Sequence, residues 1–119
     1  MIGTEDVRAL VDLGFIALSA GLNRHARKIF EGVEAARPEG EAGPLGLALA
    51  DMAEGDLDAA VARLRALPPS DAALTYLGLA RARQGDRDEA ARALRRVAAG
   101  DVDGPFAALA AAAIEEFRL

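Results

Sequence analysis

The sequence contains no cysteine and no tryptophan, a single histidine, and aromatic residues at only 4% of its 119 positions. Without cysteine there is no disulfide framework and no thiolate to bind a metal or attack a substrate. Positive charge is also scarce: 14 basic residues, only one of them lysine, stand against 19 acidic ones, for a net charge of −5. Binding to nucleic acid or an anionic membrane surface needs a basic stripe, so neither is an expected partner. The longest apolar stretch, Phe106 to Ile114, is far shorter than the roughly 20 residues that cross a bilayer. The start, Met1-Ile2-Gly3-Thr4-Glu5-Asp6, lacks the positive charge and apolar run of a secretory leader, which implies a cytoplasmic protein.

What is abundant is alanine and leucine. Hydrophobic residues make up 52% of the chain and charged residues 28%, while β-branched residues are few. Alanine and leucine are strong helix formers, and small side chains let helices approach closely. A disordered chain would carry much less hydrophobicity for this charge. The charge is uneven: residues 1–60 hold 5 basic and 11 acidic side chains, whereas residues 61–119 hold 9 and 8.

The chain repeats itself. Gly21, Gly55 and Gly85 are each followed five residues later by alanine, at Ala26, Ala60 and Ala90, with glycine spacings of 34 and 30 residues. Gly55-Asp56-Leu57-Asp58-Ala59-Ala60 matches Gly85-Asp86-Arg87-Asp88-Glu89-Ala90, and Leu13-Gly14, Leu47-Ala48 and Leu77-Gly78 precede the three glycines at equal distances. Phe30, Leu64 and Leu94 lie four residues after the alanines, and Pro38 closes the first unit. Small residues at 14, 48 and 78 and at 26, 60 and 90 allow two helices per unit to pack closely. The three glycines fit helix ends that need a left-handed residue. Asp56 and Asp86 are candidate N-caps, Asp86 with Glu89 has capping-box spacing, and Pro105 opens a last helix. The expected helices span about 5–20, 23–37, 41–54, 57–67, 71–84, 87–99 and 105–118. The loop at Pro68-Pro69 takes up the four residues by which the second unit is shorter.

This pattern resembles the tetratricopeptide repeat over roughly residues 7–102, with the first unit the fullest match. It departs from it where the family's opening tryptophan is replaced by Leu10, Pro44 and Leu74. The resemblance implies a single all-α domain over 1–119: a right-handed superhelical stack of three helix pairs, at about 7–40, 41–70 and 71–102. A capping helix at 105–118 would cover the apolar face of the last pair.

It further implies that the first helix of each pair lines a concave surface. The positions in register are Val11, Phe15 and Leu18, then Leu45, Leu49 and Met52, then Thr75, Leu79 and Ala82 with Tyr76 beside them. Of these, Val11, Phe15, Leu18, Leu45, Leu49, Met52, Tyr76 and Leu79 are the candidate partner-binding residues. Apolar spacing alone does not separate a groove from a core, so packing within the stack remains open for each. An apolar groove suits an amphipathic helix. Clamps of this family for a chain-terminal carboxylate use lysine, asparagine and arginine where this chain has Val11, Phe15, Leu45, Leu49 and Thr75, which excludes a receptor for heat-shock-protein tails.

Leu13-Gly14-Phe15-Ile16-Ala17-Leu18-x-x-Gly21, with Ala26-x-x-Ile29-Phe30-Glu31 and Arg37-Pro38, is similar to the opening repeat of small tetratricopeptide proteins of bacterial type III secretion. Gly46-Leu47-Ala48-Leu49-Ala50 and Leu77-Gly78-Leu79-Ala80 continue the likeness. Many such proteins are chaperones that hold a secreted subunit as an amphipathic helix, and that is the implied function. The alternative is a repeat adaptor or homo-oligomeric module whose groove is filled by its own last helix or by another copy. No enzymatic role, cofactor or metal is expected. His25 has no partners for a triad or zinc site, Ser19 and Ser70 have no neighbouring base, and Asp86, Asp88 and Glu89 read as first-turn acids. Arg63, Arg65, Arg92, Arg95 and Arg96 read as solvated helix faces or contacts to a neighbouring subunit. The far-UV circular dichroism spectrum is expected to be helical and unchanged by chelator or reductant; loss of structure on adding chelator would overturn the metal-free reading.

Overall fold

The computed structural model describes residues 3–119; Met1 and Ile2, part of the segment read above for a leader, lie outside them. Among the described residues there are seven helices and no strand: α1 (Thr4–Ser19), α2 (Asn23–Ala36), α3 (Ala42–Ala53), α4 (Leu57–Arg65), α5 (Asp71–Gln84), α6 (Arg87–Ala99) and α7 (Pro105–Phe117). The all-helical expectation holds, and every expected helix is present to within two residues at its ends. The fourth stops at Arg65 because Pro68 and Pro69 follow, and the residue before a proline avoids the helical region.

The chain divides into two compact units, Met1–Arg63 and Leu64–Leu119. In the first, α1 packs on α2, and α3 packs on both; in the second, α5 packs on α6, and α7 packs on both. The two share one register. Gly14, Ala26, Phe30, Val33 and Gly46 of the first unit correspond to Gly78, Ala90, Leu94, Val97 and Ala110 of the second, each 64 residues further on, and all ten are buried.

The turns repeat in detail. Gly21, Gly55 and Gly85 have φ of 76°, 83° and 87°, the left-handed region that glycine enters without a Cβ penalty. At each, the glycine N–H donates to the carbonyl three residues back, and the next N–H donates to the carbonyl five back. The pairs are Gly21 to Leu18 with Leu22 to Ala17, Gly55 to Met52 with Asp56 to Asp51, and Gly85 to Ala82 with Asp86 to Arg81. This is the Schellman arrangement, which satisfies carbonyls that the helix end leaves orphaned.

The helix starts are less uniform. Asp86 accepts from the Glu89 N–H at 3.1 Å and Asp56 from the Ala59 N–H at 3.2 Å, but Leu22 stands at the same point of the first turn and caps nothing. Ser70 caps α5 by accepting from the Ala73 N–H at 3.1 Å. The capping box read at Asp86 and Glu89 is half formed, because the Glu89 carboxylate binds arginines instead of returning to the Asp86 N–H.

The core is built from bulky side chains laid on glycine. A Cβ on Gly14 would lie 2.6 Å from Phe30 Cζ, and one on Gly46 would lie 2.1 Å from Phe30 Cδ1. The Phe30 ring of α2 therefore fills a notch in α1 and another in α3. In the second unit a Cβ on Gly78 would lie 2.6 Å from Leu94 Cγ. Around Phe30 gather Ala17, Ala26, Val33 and Leu47; around Leu94 gather Val97, Ala110 and Ala113. Complete burial of one such side chain contributes roughly 1.5–3 kcal/mol.

Gly46→Ala and Gly78→Leu are each expected to destabilise by about 1–3 kcal/mol, the range for overpacked cores. Gly32, inside α2, has no atom within 4 Å of an added Cβ, so Gly32→Ala is expected to be neutral or to stabilise by up to ~1 kcal/mol. Thermal melts of the three variants check both statements.

Candidate interaction surface

Val11, Phe15 and Leu18 recur at helical spacing on one side of α1, and all three are half-buried. Each packs against the cluster around Phe30, and the Phe15 and Phe30 rings meet edge to face at 5.3 Å and 72°. On α3, Leu45 and Met52 are each 8% exposed, whereas Leu49 between them is half-buried. The candidate surface of the first unit therefore reduces, in open apolar area, to Val11, Phe15, Leu18 and Leu49. Leu45 and Met52 offer little to a partner in this arrangement.

In the second unit Thr75 is fully buried, and its hydroxyl donates to the Asp71 carbonyl at 2.6 Å. Leu79 is half-buried against the cluster around Leu94. Tyr76 meets Phe106 of α7 edge to face at 6.0 Å and 80°, and burial pushes its phenol above the ordinary value. The last helix thus covers part of one candidate residue.

Polar chemistry centres on two clusters that the repeat pattern did not disclose. Asp51, four residues before Gly55, is only 3% exposed. Its carboxylate accepts from Arg27 Nη2 at 2.7 Å and from Arg63 Nε at 2.7 Å, while Arg27 also reaches Glu54 at 3.2 Å. The hydrogen bond to Asp51 raises the Arg27 pKa further above its already high value. A buried carboxylate needs such partners, since removing one leaves an uncompensated charge. The signal was present as the one charge in the run Ala48-Leu49-Ala50-Asp51-Met52-Ala53.

The second cluster inverts the polarity. Arg81, four residues before Gly85, donates to Asp86 at 2.5 Å, to Glu89 at 2.9 Å and to Gln84 at 2.7 Å. Glu89 also accepts from Arg65 Nη2 at 2.5 Å. The Arg65 hydrogen bond holds the Glu89 carboxyl below its ordinary range, and the Glu89 backbone N–H does the same for Asp86. Arg63 and Arg65, read as exposed helix faces, therefore pair within the chain. Arg87 donates to the Phe117 carbonyl at 2.9 Å and to that of Arg118, and Arg95 donates to the Leu119 carbonyl.

His25 is exposed and borders a 350 Å³ depression with Arg24 and Lys28, so it sits among cations rather than beside a carboxylate. Ser19 is exposed at the end of α1 and Ser70 serves as a helix cap. Among the described residues no three histidine or acidic side chains converge as metal ligands, and no helix is long and apolar enough to cross a membrane. No protein-family model matches the sequence, and no curated protein matches it.

The depressed Glu89 pKa makes a prediction about acid. A carboxylate with a lowered folded-state pKa contributes stability above its unfolded value, here about 4.5, and loses it as pH falls through the lower folded value. Glu89→Gln is expected to lower the melting temperature near neutral pH, with the gap to the parent closing progressively below about pH 4.5. Melts across that range check it; a gap constant with pH would remove the ion pairs as its source.

Proposed function

We propose that this chain is a tetratricopeptide-type repeat scaffold that binds an amphipathic helix of another polypeptide, with no catalytic role. The observation that carries the reading is the row Val11, Phe15, Leu18 and Leu49. All four are apolar and half-open, and all lie on two helices that pack together. The three identical glycine turns and the glycine-seated Phe30 and Leu94 support the repeat assignment. Proteins of that class stack helix pairs into a right-handed superhelix with a concave binding face.

The energetics favour such a partner. Covering the open part of these half-buried side chains contributes roughly half of the 1.5–3 kcal/mol of full burial each, so all four together offset the about 2–5 kcal/mol for ordering a flexible segment. Within this class, the likeness of the Leu13–Pro38 segment to type III secretion proteins supports a cytoplasmic chaperone for an aggregation-prone helix of a secreted subunit. The second reading, an adaptor or self-assembling module, is favoured by the Tyr76–Phe106 contact, in which the chain's last helix occupies one candidate position.

Leu49→Glu tests the surface. The substitution is expected to leave the melting temperature near that of the parent and to weaken the partner recovered by co-purification by at least about 2 kcal/mol. A collapsed melt would assign Leu49 to the core, where a new carboxylate lacks any partner. Undiminished partner recovery would place the binding surface elsewhere.

A further inference from the structure

We infer that the outer face of α1 docks onto a second copy of this chain, in the arginine-bordered depression on α5 and α6. This face is distinct from the row Val11, Phe15 and Leu18, and the inference does not rest on that row. Leu13 and Ile16 lie one turn apart on α1 and are 49% and 64% exposed, and Leu22 in the following turn is 50% exposed. Ala9 and Ala20 extend the same helical face and are also exposed. Contiguous exposed apolar surface of this kind marks an interaction site.

The shared register of the two units says that this face is unusual. Leu13 corresponds to the half-buried Leu77, but Ala9 and Ile16 correspond to Ala73 and Ala80 of α5, which are buried, so that part of the equivalent face is covered there. On α1 it is bare and carries the larger isoleucine. Leu22 likewise stands where Asp56 and Asp86 cap their helices, so the first turn gives up a cap for an exposed leucine.

Charge selects the occupant. Asp12 lies one turn before Ile16 and Glu5 two turns before Asp12, with Arg8 between them on the same edge; both acids are exposed and without a hydrogen bond or ion pair among the described residues. The second unit offers the complement: a 560 Å³ depression lined by Leu74, Leu77 and Ala93 together with Arg92 and Arg96. Arg92 and Arg96 are one turn apart on α6, exposed, and form no hydrogen bond or ion pair among the described residues, whereas Arg65 and Glu89 nearby satisfy each other. Leucine and isoleucine flanked by acids thus meet a leucine floor flanked by arginines. The same asymmetry runs through the whole sequence, with 11 of its 19 acidic side chains in residues 1–60 and 9 of its 14 basic ones in residues 61–119. The pairing is heterologous: the α1 face of one copy meets the depression of another.

Sedimentation velocity of the full chain from micromolar to millimolar concentration tests this. The mass is expected to rise with concentration, and added salt is expected to weaken the association by screening the carboxylate–guanidinium pairs. Ile16→Glu and the double variant R92E/R96E are each expected to weaken self-association by about thirty-fold or more while melting like the parent. Mixing the two variants is expected to restore a dimer that grows no further, because each supplies the face the other lacks. A parent chain that stays monomeric throughout, an Ile16→Glu variant that associates like the parent, or a mixture no heavier than its components would each overturn the proposal. Should Ile16→Glu fail to fold, Leu13→Gln on the same face takes its place with the same expectations.

Discussion

Phe30 leaves α2 at a point where both neighbouring helices present a glycine, and its ring occupies the space that two missing Cβ atoms leave open. That arrangement fixes how closely α1 and α3 approach α2. The remaining packing of the first unit follows from it. Ala17, Ala26, Val33 and Leu47 close around the ring, and Phe15 meets it edge to face. Leu94 repeats the device over Gly78 in the second unit, with a smaller side chain and with Ala110 in place of the second glycine. An interior at crystal-like density leaves little freedom to vary one member of such a set alone.

Electrostatics adapts the same frame in opposite senses. The position four residues before the turn glycine holds Ala17, Asp51 and Arg81 in turn. Where it is alanine, it joins the core; where it is aspartate, it gathers two guanidinium groups; where it is arginine, it gathers two carboxylates and an amide. Small residues and turn glycines keep the backbone alike, while this one side chain decides the sign of the local field. Charged clusters of this sort join consecutive helices through directional bonds that apolar contacts lack.

The helices and their turns were legible because they rest on local chemistry. Glycine needed φ near +80° at three places, Pro105 opened a helix, and alanine marked the close crossings. The degree of burial was not legible. Leu45, Leu49 and Met52 have one spacing, yet only Leu49 keeps substantial exposure, since periodicity names a helix face without naming what covers it. Gly46 went unread as a close-approach site because the repeat register puts the small residue of that helix at Ala48, two positions further on. The Asp51 cluster joins residues 27, 51 and 63, a set that no single repeat contains. The exposed Leu13 is part of the repeat's leucine–glycine pair, so its sequence position gave no sign that it would face outward.

The spacing of the core contacts bears on how the chain is made. Phe30 lies 16 residues after Gly14 and 16 before Gly46, and Leu94 lies 16 after Gly78. Contacts this local close quickly, because little chain entropy is lost in forming the loop. Every member of the cluster around Phe30 falls between Val7 and Leu47. During synthesis the first unit can therefore assemble its core once that stretch has cleared the ribosome, while most of the second unit is still untranslated. Apolar side chains that would otherwise wait exposed in the nascent polypeptide are withdrawn early, which shortens the interval in which the growing chain is open to aggregation.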